Sequence, residues 1–170
     1  MKYLVTAALV LLAAPSAAAV KASDAHSFVV EQSVALKVSP TRAWTAFGEV
    51  GKWWADEHSF SGKASNMRLD LVPGGCWCET FPGGGAQFMH VVFARPPKEI
   101  VLSGALGPML YDVAPATMIV RFEPDGSGTK ATMTYKASGF LKGDADKTAP
   151  LVDQVLGEQL NRLRAFLEKG

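Results

Sequence analysis

Neither sign of charge dominates this sequence of 170 residues: Lys plus Arg number 17 and Asp plus Glu 16, for a formal net charge of +1. A polyanion therefore has no electrostatic footprint to find, and nucleic acid is not an expected partner. Cysteine is scarce, and two residues exclude a disulfide-stapled miniprotein. Past the N-terminus, no apolar run approaches the roughly 20 residues that a bilayer span requires. Charged residues make up only 19% of the chain against 48% hydrophobic, which excludes disorder and points to one domain with a true core.

What is present begins with an address. Lys2 precedes an apolar stretch from Tyr3 to Ala14, followed by Pro15, Ser16 and the small run Ala17, Ala18, Ala19. A charged start, a short greasy middle and an A-x-A exit read as a secretory signal peptide. The competing reading is a membrane anchor, but about a dozen apolar residues make a helix of roughly 18 Å, short of a hydrocarbon core near 30 Å. Cleavage is expected after Ala19, with Ala22 as the alternative, and no cysteine at the boundary accepts a lipid. The expected organisation is a signal peptide over 1–19, a short linker over 20–26 and one domain over 27–170. The mature protein is then periplasmic or secreted, with no stable membrane span and 16 basic residues balancing 16 acidic ones once Lys2 is gone. Long-range charge does not select its partner.

Alternation from Phe28 to Val38 predicts a first strand, with Val30, Val34, Leu36 and Val38 on one side. Ser39 suits a helix cap and Pro40 a first turn, so Ala43, Trp44 and Phe47 form the apolar face of a short helix that Gly48 and Gly51 break. A second short helix is expected around Lys52 to Asp56. Up to about Ser138 the chain then reads as strands punctuated by turn chemistry, including Pro73-Gly74-Gly75, Pro82-Gly83-Gly84-Gly85, Pro96-Pro97 and Asp125-Gly126. In the last strand Thr129, Ala131, Met133, Tyr135 and Ala137 share one face and Lys130, Thr132, Thr134 and Lys136 the other, as in a sheet with one wet side. The element that covers the dry side is a helix from about Thr148 to Glu168, where Val152, Val155, Leu156, Leu160, Leu163 and Phe166 repeat at helical spacing. No repeat or low-complexity tract follows the leader.

That order of elements, with Val38-Ser39-Pro40 and Trp44, Trp53-Trp54, Pro73-Gly74-Gly75, Pro96-Pro97, Gly128-Thr129 and the final amphipathic helix, resembles the START-like helix-grip (SRPBCC) superfamily. The branch it is most similar to contains relatives of the heat-shock-chaperone ATPase activator. The resemblance implies an α+β fold: about seven antiparallel strands in a curved sheet, two short helices, and a long C-terminal helix gripped by the sheet, with an apolar cavity between them. It also implies a scaffold used for lipids, sterols, polyketides and other hydrophobic molecules, and for cyclases. Fold analogy does not choose among these.

The densest reactive cluster is Gly74-Gly75-Cys76-Trp77-Cys78-Glu79, followed by Gln87-Phe88-Met89-His90. Cys76 and Cys78 share one strand face, whereas Trp77 and Glu79 share the other. Residues i and i+2 of an extended strand lie roughly 6.6 Å apart, near the limit for a disulfide, so a Cys76–Cys78 bridge needs a bulge or strain. Two buried free thiols are the simpler reading, and a reducible bridge with a redox role the other. The register across the glycine turn decides what His90 joins. An even loop pairs Glu79 with Phe88 and Trp77 with His90, placing Glu79 and His90 on one surface as an acid–base pair; an odd loop puts Cys76 opposite His90, the start of a metal site. The even loop is the expectation. On that register, the plainer reading is that Glu79 and His90 form a satisfied polar pair on the outer face.

The segment from Trp53 to Gly62 supplies tryptophans to wall an entrance and His58 to reach inward, against a plainer reading as core packing and an exposed loop. Gly104 to Met109 reads as an apolar loop beside the ligand or a tight turn. Cys76, Cys78, His58 and His90 are weak metal candidates, because C-x-C alone demands no ion. No cofactor is implied. No serine has the glycine elbow or neighbouring histidine of an activated nucleophile.

The leading functional expectation is an exported protein that holds a small hydrophobic or amphipathic ligand between sheet and terminal helix. Trp53, Trp54, His58, Trp77, Phe88, Met133 and Tyr135 would contact the ligand, and Glu79 and His90 would orient its polar end. The alternative is a cyclase- or hydrolase-like enzyme using Glu79 and His90 as acid and base, with or without a metal. A chaperone-type interaction module is more distant, since an export signal separates it from a partner inside the cell.

Overall fold

In the computed structural model, the described residues are 19–111 and 115–169. The proposed leader lies outside them except for Ala19. Eight strands form one antiparallel sheet: β1 (Ala19–Ser23), β2 (Ser27–Leu36), β3 (Met67–Leu69), β4 (Cys76–Phe81), β5 (Gly84–Arg95), β6 (Glu99–Gly104), β7 (Ala116–Asp125) and β8 (Gly128–Ser138). Their spatial order is β1-β2-β8-β7-β6-β5-β4-β3, so the first and last parts of the chain pair at one side and the middle strands fan out to the other.

The expected seven strands are β2 to β8, and β1 is an addition drawn from the supposed linker. Its sequence, Ala-Val-Lys-Ala-Ser, carries no alternation, and its ladder to β2 is made by main-chain groups at the sheet edge. In β2 and β8 the expected period of two holds. Phe28, Val30, Val34 and Leu36 are buried beside Ala131, Met133, Tyr135 and Ala137. Register shifts between Trp77 and Cys78 in the β4–β5 pair, and between Val91 and Phe93 in the β5–β6 pair, bend the sheet.

Helix α1 (Pro40–Gly48) begins as the residues dictate: Arg42 N donates to Ser39 Oγ at 3.4 Å, Pro40 sits in the first turn, and Ala43, Trp44, Ala46 and Phe47 are buried. The second short helix expected near Lys52 to Asp56 does not form. Three single 3-10 turns replace it, at Val50–Lys52, Asp56–His58 and Ala64–Asn66. The backbone groups a helix would use internally are taken by the terminal helix α2 (Ala145–Glu168): Arg162 Nε donates to Trp53 O at 3.0 Å, and Ala55 N donates to Gln159 Oε1 at 2.9 Å.

Helix α2 starts three residues before the expected Thr148 and runs through Pro150. Its C-terminal half buries Leu160, Leu163 and Leu167 in the core. In the middle it comes close to β2, where Gln32 Nε2 donates to Asp153 Oδ1 at 2.7 Å and a Cβ at Gly157 would stand 3.3 Å from the Gln32 amide. A buried carboxylate with a fixed donor locks the helix against the sheet at one register. The N-terminal half of α2 lies over space that the core side chains do not fill. Among the described residues, no helix is long and apolar enough to cross a membrane.

Candidate functional site

The β4–β5 hairpin determines what the reactive cluster can do. Its turn is even, as expected, with only Pro82 and Gly83 unpaired, so Phe81 faces Gly84 and Glu79 faces Ala86. The bulge that follows reverses the parity. Cys78 pairs with Gln87, but Trp77 pairs with Met89 and Cys76 with His90, leaving Phe88 and Met89 both buried. The expected Glu79–Phe88 pairing is overturned by the tighter turn, which closes at Phe81–Gly84, and the Trp77–His90 pairing by turn and bulge together. Glu79 points inward and is 1% exposed, while His90 is exposed on the opposite face, so the two form neither an acid–base pair nor an outer-face polar pair.

Glu79 acts on the chain itself. Its Oε2 accepts from Phe60 N at 2.9 Å and its Oε1 from Ser61 N at 2.7 Å. A carboxylate with each oxygen on a main-chain donor is a clip that holds the 56–61 segment against the sheet. The Phe60 ring then stacks on Phe88 at 5.5 Å with planes 5° apart.

Cys76 and Cys78 are bonded to each other, which corrects the expectation of two buried thiols. Both are half-buried on the outer face. Their Cα atoms are 5.4 Å apart, closer than in a regular strand, and the ladder to β5 shifts register beside them, between Trp77 and Cys78. The weak metal set of Cys76, Cys78, His58 and His90 is dispersed accordingly: the sulfurs are joined, and His58 belongs to the inner side. Among the described residues no three His, Cys, Asp or Glu side chains converge.

The inner side holds a cavity of about 570 Å³. Its floor is the sheet, through Met67, Trp77 and Phe88, and its roof is the first half of α2, through Leu151, Val152, Val155 and Leu156. One side wall is the 3-10 turn bearing Glu57, His58 and Ser59 with Phe60; the other is the Leu106–Met109 segment. Of the residues expected to touch a ligand, Trp54, His58, Trp77 and Phe88 line this space. Trp53, Met133 and Tyr135 do not, and each has a structural reason. Trp53 turns the other way from Trp54, donating from Nε1 to Ala46 O at 2.9 Å and packing on Phe47 at 5.8 Å. Met133 and Tyr135 lie on the correct face of β8 but are wholly covered.

Polar groups are few and placed at the rim. His58 Nε2 stands 4.0 Å from Glu158 on α2, joining the turn to the roof, and Asp144 lines the space at the helix start. Deeper in, the Trp77 indole N–H has no acceptor among the described residues, and the Trp54 ring meets Trp77 edge-on at 4.9 Å. Tyr135 fixes the Leu106–Met109 wall from behind, its hydroxyl oxygen accepting from Leu106 N at 3.2 Å. Burial pushes the Tyr135 phenol well above its ordinary pKa, opposed by that one N–H donor. Sequence reasoning missed Phe60, Phe140 and Leu151 as lining residues. Val152 and Val155 were visible as an apolar helix face, but nothing in their spacing separates packing from lining.

Solved structures with the same architecture support the fold. An uncharacterised protein from Rhizobium leguminosarum is 25% identical, with a TM-score of 0.63 over 85% of this chain and 96% of that one. The Aha1 dimer from Colwellia psychrerythraea is 21% identical, with a TM-score of 0.57 over 82% and 96%. CalU16 from Micromonospora echinospora is 14% identical, with a TM-score of 0.59 over 83% and 76%. No curated protein matches the chain. The family profile described as "Activator of Hsp90 ATPase homolog 1-like protein" covers residues 41–168, from the first turn of α1 to the last residue of α2, and the chain belongs to that family.

Proposed function

We propose that this protein is an exported carrier that binds a small hydrophobic or amphipathic molecule in the cavity between the sheet and the first half of α2. The observation that carries the reading is the unfilled space of about 570 Å³ walled by Trp54, Trp77, Phe88, Val152 and Val155. Ligand pockets of roughly 300–1,000 Å³ with apolar walls and a few polar groups are the usual size and character for such molecules. The rim groups His58, Glu57 and Asp144 meet the polar end of the ligand, which replaces the role first assigned to Glu79 and His90. An acid–base mechanism through Glu79 and His90 has lost its geometry, since the two lie on opposite faces. Export to the periplasm or medium is supported by the leader-like start and by the Cys76–Cys78 bridge, because disulfides persist in oxidising compartments.

The test is native mass spectrometry of the mature protein from its export compartment, with titration by N-phenyl-1-naphthylamine and a fatty-acid and aromatic panel, read by quenching of Trp54 and Trp77. A co-purified small molecule or saturable quenching is expected, and Val155→Trp abolishes both with the fold intact. No adduct and no saturable ligand across the panel would overturn the carrier reading.

A further inference from the structure

The outer face of β4 carries a site that the cavity does not use. Cys76 and Cys78 form a disulfide two residues apart in sequence, half-buried, on the sheet face away from α2. A bridge closing so short a loop constrains the unfolded chain little, so it is poorly suited to be a staple. Its neighbours are chemically specific. His90 on β5 is the cross-strand partner of Cys76, and Arg68 on β3 is the cross-strand partner of Cys78, both on the same outer face and both exposed. Directly opposed side chains on one sheet face stand within contact range. The other charged group beside this pair is Asp70, whose Oδ2 is 3.7 Å from Arg68 Nε; on the sulfur rows β5 and β6 add only the uncharged Gln87 and Ser103.

We infer that Cys76–Cys78 is a thiol–disulfide exchange site that oxidises a dithiol substrate, with Arg68 and His90 stabilising the thiolates it releases. One substrate thiolate attacks a bridge sulfur, forming a mixed disulfide as the Cys76–Cys78 bond breaks and the departing sulfur leaves as a thiolate beside Arg68 or His90. The second substrate thiolate attacks the mixed disulfide and expels the other cysteine. The substrate leaves as a disulfide, having given up two electrons, and the two cysteine thiolates take up two protons from solvent. A low-molecular-weight disulfide restores the bridge by the reverse exchange. The Arg68 guanidinium and an imidazole N–H donor on His90 favour the leaving thiolate, and a thiol with a lower pKa leaves faster.

The experiment uses the mature protein, dithiothreitol as the dithiol and oxidised glutathione as the restoring disulfide. Alkylation and intact mass count the free thiols, and near-ultraviolet circular dichroism follows the fold. The expected result is reduction of the native bridge at least about tenfold faster than dithiothreitol reduces oxidised glutathione. The tertiary signal should be unchanged, and glutathione should restore the bridge fully. Arg68→Ala and His90→Ala each slow reduction, and Cys78→Ser holds glutathione on Cys76 as a mixed disulfide. Reduction no faster than that of oxidised glutathione, reduction only after denaturant unfolds the chain, or loss of the tertiary signal on reduction would overturn the inference. Unchanged rates in both neighbour variants would overturn it as well.

Discussion

Glu79→Gln isolates what the buried carboxylate does. Each oxygen accepts one backbone N–H, from Phe60 at 2.9 Å and from Ser61 at 2.7 Å. The amide keeps one acceptor and turns an NH2 toward the other donor, so one charge-assisted bond is lost and the second becomes neutral. With hydrogen bonds to charged groups contributing about 1.5–3 kcal/mol and neutral ones about 1, the expected loss is about 2–5 kcal/mol. Urea unfolding at pH 7 measures it, and amide exchange should show the Phe60 and Ser61 N–H groups opening faster than their neighbours. A loss below about 0.5 kcal/mol would refute the clip, since that is the range of surface substitutions without such a feature. A double-mutant cycle with His90→Ala sharpens the test. Because His90 is on the other face of the sheet, the two effects should add within about 0.5 kcal/mol. A larger coupling would restore the acid–base pair and refute the bulged register.

At Gly104 (φ 147°) a Cβ would collide with the Phe88 carbonyl, which accepts from Ala105 N at 2.8 Å, so Gly104→Ala should cost about 1–3 kcal/mol and weaken probe binding by loosening the Leu106–Met109 wall. Urea midpoints and probe quenching check both effects. Tyr135 is buried with its phenol pKa raised. The unfolded state therefore loses this proton first, stability from this source is intact below about pH 10, and above it falls by as much as about 1.4 kcal/mol per pH unit. Tyr135→Phe should flatten that alkaline decline relative to the parent, a difference read from urea midpoints between pH 9 and 11. Replacing both Cys76 and Cys78 by Ser should cost no more than about 1.6 kcal/mol, the chain-entropy value for so short a loop. A loss of several kcal/mol in urea would make the bridge a structural staple.

The parts of the fold that periodicity governs were legible in the residues. Met133 and Tyr135 alternate with Thr132 and Thr134 because a half-wet sheet imposes a period of two, and Leu156, Leu160 and Leu163 follow the helical repeat. What broke the site reading was a single inserted residue. A bulge has no period and no obligatory residue type, so nothing marked Phe88 as the position where the ladder slips, yet that slip sends His90 out to solvent beside Cys76. Trp54, His58, Trp77 and Phe88 were legible as cavity residues because aromatic and imidazole groups near a mouth stand out. Val152 and Val155 did not stand out, since an apolar helix face looks the same over a filled core as over a void. The missing second helix is likewise a tertiary effect, decided by Arg162 and Gln159, more than a hundred positions downstream.

Where the proposed leader is removed, the place of β1 gives the cleavage point a structural consequence. Val20 pairs with Val30, Ala22 with Val29 and Ser23 with Phe28. A peptidase acting behind Ala19 leaves these rungs in place, whereas one acting behind Ala22 strips all but the last and bares the flank of β2. A bared flank offers unpaired N–H and C=O groups to any passing strand, a second copy of the chain included. On the proposed cleavage, three residues between Ala19 and Ser23 set whether the mature molecule would end its sheet with a guard or with an open seam.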